Sequence, residues 1–166
     1  MRPDAKLGDL VYVDRNKDGL LNDDDRIFCG SGAPEAEIGF NAGLDWKGFD
    51  FSMNWYASIG NEIVNGSKVA SYQHNVNRDM LYQWSLDNPT STIPSYRTTS
   101  HFNARTYADI WVEDGSFLRL KNIVLGYALP KHIVRKCGLT KLRFYLAADN
   151  LLTLTKYDGS VSYTHL

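Results

Sequence analysis

Residues 37–58 read EIGFNAGLDWKGFDFSMNWYAS. Ile38, Phe40, Ala42, Leu44 and Trp46 alternate with Glu37, Gly39, Asn41, Gly43 and Asp45. After Lys47-Gly48 the apolar set resumes as Phe49, Phe51, Met53, Trp55 and Ala57, with Asp50, Ser52, Asn54, Tyr56 and Ser58 between them. A period of two is the signature of a strand, and a two-residue link ending in glycine is that of a tight hairpin. Pairing across the link sets Trp46 against Phe49, Leu44 against Phe51, Ala42 against Met53, Phe40 against Trp55 and Ile38 against Ala57. Every apolar residue then lands on one face. Each strand has about the nine to eleven residues that cross a bilayer when tilted. Aromatics cluster near both ends of the apolar face, as girdles do in membrane barrels. A soluble sandwich alternates identically with its apolar face inward, so the hairpin alone leaves both readings open.

The same pattern returns between Lys141 and Tyr157, where Leu142, Phe144, Leu146, Ala148, Leu152 and Leu154 share a face. Arg143, Tyr145, Asp149, Thr153 and Thr155 take the other. Such a strand is long by globular standards. Asn150 interrupts its apolar face without a local explanation. In Trp111 to Pro130, WVEDGSFLRLKNIVLGYALP, only Ile123, Leu125, Tyr127 and Leu129 form a clean stripe. Arg119 and Lys121 share that parity, which places this half of the strand above any hydrocarbon layer, where charges are tolerated. Pro130 to Gly138, PKHIVRKCG, reads as a solvated basic turn in which His132 is no ligand.

The bulk numbers restrict the function classes. At 166 residues, 43% of them hydrophobic, the chain is long enough for one domain or a piece of something larger. A net charge of -1 argues against a nucleic-acid partner. No segment approaches the ~18 consecutive apolar residues of a spanning helix, which leaves a β-barrel open. The start, MRPDAKLGDL, has no apolar core of a signal peptide, and none is expected. Cys29 and Cys137 lack metal or redox spacing and read as free thiols.

One stretch has the spacing of a cation loop. In Asp14-Arg-Asn16-Lys-Asp18-Gly19-Leu20-Leu-Asn22-Asp-Asp-Asp25, oxygen-bearing side chains fall at the EF-hand ligand positions, with Gly19 at the sharp turn and the Leu20 carbonyl in the ligand set. Oxygen ligands select a hard cation, so Ca2+ is the expected ion. Two features depart from the EF-hand: Asp25 replaces the bidentate Glu, and the flanks GDLVYV and RIFCG look like strands. The competing reading is a solvated acidic turn.

Between the hairpins, Gly60 to Thr106 is rich in Asn, Ser, Thr, Tyr and Gln, and a connection of this length is uncommon unless functional or disordered. Val69, Tyr72, Val76, Met80 and Trp84 follow helical steps and predict a short amphipathic helix. DNPTSTIPSYR then gives a Pro-bounded extended stretch. Trp84, Tyr96, His101 and Tyr107 are candidates to stack on a sugar or a partner, against the alternative that they pack within their own loop.

Residues 111–130 resemble the C-terminal signature of the SusC/RagA class of TonB-dependent outer-membrane transporters, [WY]-[IV]-x-D-G-[SD]-F-[LV]-R-L-[KR]-N-[IL]-x-L-G-Y-x-[LF]-P. Asp114, Gly115, Phe117, Arg119, Leu120, Asn122, Leu125, Gly126, Tyr127 and Pro130 match it. The stretch from Gly8 to Asn22 is similar to that family's G-D-x-x-[YF]-x-D-x-[ND]-x-D-G-x-[IL]-[ND] segment. Trp84 to Pro94, one residue shorter between Pro89 and Ile93, is similar to its W-x-x-x-N-P-x-x-x-x-[IV]-P loop. The fold implied is all-β: an incomplete, antiparallel up-and-down transmembrane β-barrel segment, part of a barrel of about 22 strands, with a long extracellular loop containing a short helix. Residues 1–159 are expected to be the C-terminal part of such a barrel, and Ser160 to Leu166 an atypical tail, hypothesised to be non-native. The chain is expected to be a fragment without plug, TonB box or closing strand, and to aggregate alone because its sheet edges stay unpaired.

The resemblance further implies an importer of oligosaccharides or peptides in the bacterial outer membrane, in contact with its lipid. Its partners would be a SusD-like surface lipoprotein and, through the plug, TonB–ExbB–ExbD. The alternative is a secreted β-sandwich carbohydrate-binding module with a calcium loop, which needs Phe40, Leu44, Phe51 and Trp55 packed in a closed core. No motif of nucleophile, base or metal supports an enzyme.

Overall fold

The computed structural model describes residues 5–97, 101–104, 108–136 and 138–157. Tyr107, Cys137 and the tail from Ser160 to Leu166 lie outside the described residues. In chain order the strands are β1 (Ala36–Trp46), β2 (Phe49–Ile59), β3 (Glu62–Val64), β4 (Val112–Asp114), β5 (Phe117–Ala128) and β6 (Arg143–Thr155). The helices are α1 (Gly66–Gln73) and α2 (Lys131–Lys136). Among the described residues no helix is long and apolar enough to cross a membrane. The chain divides into a sheet unit, Ser31–Glu62 with Asp114–Tyr157, and a loop unit built chiefly from Met1–Gly30 and Ile63–Glu113.

The sheet unit is a four-stranded antiparallel sheet of order β1-β2-β5-β6. The β1–β2 register pairs Trp46 with Phe49, Leu44 with Phe51, Ala42 with Met53, Phe40 with Trp55 and Ile38 with Ala57, as the alternation requires. Its turn explains why that register is fixed. Lys47 and Gly48 both adopt left-handed backbone, at φ 48° and 89°, the geometry whose twist matches the two flanking strands.

The β5 strand departs from the sequence expectation. Its register shifts at Lys121: Asn122 pairs with Asn54 and Asp149, whereas Leu120 pairs with Trp55 and Leu152. The extra residue of this bulge reverses the parity of everything before it. Leu118 and Leu120 therefore join Ile123, Leu125 and Tyr127 on the apolar face. Arg119 and Lys121 turn to the polar face, where the Lys121 ammonium lies 4.8 Å from the Tyr56 ring centroid. The charges thus leave the apolar stripe by a bulge and not by standing above it. Asn150 sits at the same irregularity with φ 51°, a left-handed position that asparagine tolerates better than most residues.

The apolar face is open. Phe40 is 55% exposed, Leu44 65% and Leu146 74%, while Phe51 and Trp55 on the inner strand are half-buried. A closed sandwich core requires these side chains to be buried, so the sandwich alternative fails at its own discriminating residues. Monomeric soluble proteins rarely leave a contiguous apolar surface of more than a few hundred Å² in water. The basic connection after β5 is also more ordered than a solvated turn, because α2 forms within it and buries Val134 to 2% exposure.

The loop unit has the conventional core that the sheet lacks. Val69, Tyr72, Met80, Ala108 and Trp111 form it, with Tyr12 and Ile93 packed against them. Trp111 is 1% exposed and meets Tyr72 edge-on at 5.2 Å. The single amphipathic helix expected here is instead two pieces. Asn75 adopts φ 55° after α1, and a separate 3-10 turn at Arg78–Tyr82 buries Met80, so Val76 is left outside the core at 74% exposure. Nor do GDLVYV and RIFCG form strands: the Leu10 N–H donates to the Asn103 side chain at 2.9 Å and not to a ladder.

Candidate functional site

Each unit carries its own set of polar groups. On the sheet, the face opposite the apolar stripe is laced by side chains. Tyr56 donates to Glu37. Arg119 Nε donates to Thr153 Oγ1 at 3.1 Å, and Asn122 Nδ2 to Asp149 Oδ1 at 2.7 Å. Arg143 forks onto Asp50 with bonds of 2.9 and 2.5 Å. Paired charges and amides of this kind suit a face turned to water or to another polar surface, in contrast to the apolar face opposite. At the β5 entry, the Asp114 carboxylate accepts the Ser116 N–H at 2.9 Å, and Gly115 donates to the Asn61 carbonyl at 2.8 Å. Asp114 thus ends β4, and Gly115 with Ser116 links it to β5.

In the loop unit, the acidic stretch folds upon itself. Asp14 accepts the N–H groups of Lys17 and Gly19, at 2.6 and 2.9 Å. Asn16 accepts from Asp18, and Asp18 from Leu20. Asn22 caps a 3-10 turn at Asp23–Asp25, and Asp25 reaches back to the N–H groups of Asn22 and Arg15. Those donated bonds hold the Asp25 carboxyl below its ordinary pKa. Gly19, at φ 84°, makes the sharp turn. Among the described residues no three acidic, His or Cys side chains gather as a metal-holding group. The candidate oxygens of Asp14, Asn16, Asp18, Asn22 and Asp25 lie along one loop with their first lone pairs on backbone N–H groups.

Of the four aromatic candidates, Trp84 is tied into its own loop. Its indole N–H donates to the Pro89 carbonyl at 3.0 Å, and its backbone N–H to Ile93 at 2.8 Å. His101 stacks on Phe102 with ring centroids 4.1 Å apart. Tyr96 is 39% exposed, while Tyr107 lies outside the described residues. The hollow lined by Tyr72, Met80, Tyr96 and Asn103 has room for about one water molecule.

The sequence reading missed the hub of this unit. Asp9, its side chain 2% exposed, accepts from Arg97 Nε at 2.8 Å, Asn103 Nδ2 at 3.1 Å and the Lys6 N–H at 2.8 Å. His101 Nε2 stands 3.9 Å from the same carboxylate. Burial alone pushes the Asp9 carboxyl up; the Lys6 N–H, Arg97 and Asn103 outweigh it and hold it below its ordinary value. Gly8 is needed beside it, because it sits at φ 85° and a Cβ there would strike Ser95 and the Trp84 ring. The Gly8-Asp9 pair at the head of the acidic stretch marks a turn but not these partners, which lie some 90 positions away.

No family model matches the chain. Over 164 residues it is 34% identical to TonB-dependent receptor P3 of Formosa agariphila, a match covering 95% of this chain and 16% of that protein. It is 27% identical over 152 residues to TonB-dependent receptor SusC of Bacteroides thetaiotaomicron, covering 90% of this chain and 15% of that one. The RagAB peptide importer in its closed-closed state matches with a TM-score of 0.66 and 29% identity, over 78% of this chain and 15% of that chain. The chain therefore spans 15 to 16% of the length of the curated relatives it matches.

Proposed function

Because the chain belongs to the SusC/RagA family of TonB-dependent receptors, which reside in the bacterial outer membrane and are transporters and not enzymes, we propose that its four-stranded sheet is a section of transmembrane barrel wall. In this reading β1, β2, β5 and β6 cross the bilayer, the short connections face the periplasm and the 60–116 connection faces outside. The observation that carries it is one continuous apolar face across all four strands, backed by a polar face of paired charges. The apolar face is open to solvent along β1 and β6 and at Phe49, Leu118 and Leu125 on the inner strands, with Ala57 and Leu120 buried among them. The two free sheet edges belong to further strands, since unpaired backbone is not tolerated in hydrocarbon.

The receptor would import oligosaccharides or peptides; the likeness to a peptide importer supports the second. A SusD-like lipoprotein would cover its outer face and TonB–ExbB–ExbD would drive it through a plug. The acidic loop would bind Ca2+ through Asp14, Asn16, Asp18, the Leu20 carbonyl, Asn22 and Asp25. Tyr96, with Trp84, His101 and Tyr107 as weaker candidates, would touch cargo or partner.

Single cysteines test the wall. In the membrane-embedded receptor carrying this sequence, cysteines at Leu44, Leu125 and Leu146 should react with a lipid-soluble maleimide and resist a charged one. Cysteines at Asn41 and Ser52 should do the reverse. The opposite labelling pattern would overturn the assignment.

A further inference from the structure

One end of the sheet combines an aromatic row with unpaired cations. Trp46 pairs with Phe49, Phe49 with Tyr127 and Tyr127 with Phe144, so one ring from each strand stands at the same level of the apolar face. Phe49 and Tyr127 touch, with ring centroids 4.4 Å apart. This is the end of the short connections, where Ala128 N–H donates to the Gly48 carbonyl at 2.7 Å. Directly beyond the row, the Lys47 ammonium lies over the Trp46 ring at 4.9 Å. A cation over an exposed indole at the end of an apolar row has the geometry of a side chain at a membrane boundary.

The second connection adds to it. Residues 129–142 contain Lys131, Arg135, Lys136 and Lys141 and no acidic residue. Lys131, Arg135 and Lys136 are exposed, and with Lys47 they make no ion pair among the described residues. Ile133, between them, is 43% exposed, and Leu139 46%. At this end Asp45 and Asp50 lie one position inside the row on the polar face, with Asp50 tied to Arg143, so the cations of the connections stand beyond them. The opposite end of the same sheet unit carries Glu35, Glu37, Glu62 and Asp114 alongside Arg119 and Lys156.

We propose that this end of the sheet is a binding collar for anionic glycerophospholipid, with the aromatic row seated at the glycerol level and Lys47, Lys131, Arg135 and Lys136 on the phosphate. Aromatic belts lie at headgroup height, which sets the phosphodiester within reach of cations just past the strand ends. The proposal rests on the barrel-wall reading and adds a lipid preference that the reading does not require. A zwitterionic headgroup offers the same phosphate with its charge cancelled, so the collar should discriminate.

The test uses the purified receptor carrying this sequence, with phosphatidylglycerol or phosphatidylcholine added in detergent and retained lipid counted by native mass spectrometry. Wild type should retain phosphatidylglycerol in preference, and each cation removed in the series K47Q, K131Q, R135Q, K136Q should cost roughly fivefold in that preference. The corresponding K47R, K131R and K136R variants, which keep the charge, should retain it. Equal retention of the two lipids by wild type, or an unchanged preference in the quadruple Gln variant, would overturn the collar. Insertion is read separately, by detergent-resistant compact mobility after reconstitution in phosphatidylcholine vesicles. Compact receptor without lipid preference removes the collar alone, whereas failure to insert in any vesicle removes the wall and the collar together.

Discussion

The Asp50 carboxylate and the Arg143 guanidinium meet across the whole width of β5, directly over Gly126. Asp50 belongs to β2 and Arg143 to β6, yet they bond at 2.9 and 2.5 Å because the strand between them has no side chain at that point. A Cβ on Gly126 would lie 2.5 Å from both carboxylate oxygens and 2.6 Å from the guanidinium. The glycine of the signature strand is thus the floor of an ion pair that ties three strands together.

Gly126→Val should displace this pair and destabilise the reconstituted receptor by about 1–3 kcal/mol, as overpacking does. In a D50A/R143A background the same substitution should cost less, a coupling of about 0.5–3 kcal/mol in a cycle of urea-unfolding measurements. Equal costs in both backgrounds would separate Gly126 from the pair.

Gly48→Ala should destabilise by about 1–2 kcal/mol through left-handed strain alone, with further cost from a Cβ set 2.8 Å from the Ala128 carbonyl. Gly39→Ala is the control, since a Cβ there meets nothing within 4 Å. Unfolding of the two variants side by side checks the contrast.

The Asp9 carboxyl titrates below its ordinary value of 3.8, so its contribution is fully present above that pH and is lost as pH falls through the depressed value. Proteolytic susceptibility of the segment around Arg97 should therefore rise on acidification below about pH 4. Asp9→Asn should weaken the segment at neutral pH and flatten that pH step. An unaltered step in the variant would assign it to another group.

Trp111→Ala empties the best-buried position of the loop unit and should cost that unit about 3–5 kcal/mol. Hydrogen exchange at Val69 and Tyr72, its core neighbours, should accelerate correspondingly.

Calorimetry with Ca2+ on the folded receptor should show uptake at or below the millimolar range, which D14A and D18A abolish. Heat changes that survive both substitutions would place any bound cation elsewhere.

What could be read in advance tracks how local the cause is. The hairpin was legible down to individual pairs because period-two alternation and a two-residue turn leave one register that keeps every apolar residue on one side. The bulge at Lys121 was not, because one inserted residue looks in sequence like a charged stretch of the wrong parity. The helix break at Asn75 was hidden by Val76, whose spacing fits a helix that the backbone does not continue. Asp9 left least trace of all: its partners Arg97 and Asn103 lie some 90 positions away, and no local pattern announces a long-range ion pair. The acidic loop shows the same limit in reverse, since its spacing was visible while its bonding to its own backbone was not.

The adjacency of β2 and β5 has a consequence for how such a chain diversifies. Their ladder fixes the register of both strands whatever lies between Ile59 and Phe117. Doubling the length of that connection costs only about 0.6 kcal/mol in closure entropy. Selection can therefore rewrite the intervening segment, insertions included, without re-solving the problem of strand pairing. The sheet then behaves as a fixed socket, indifferent to the length and content of the segment plugged into it.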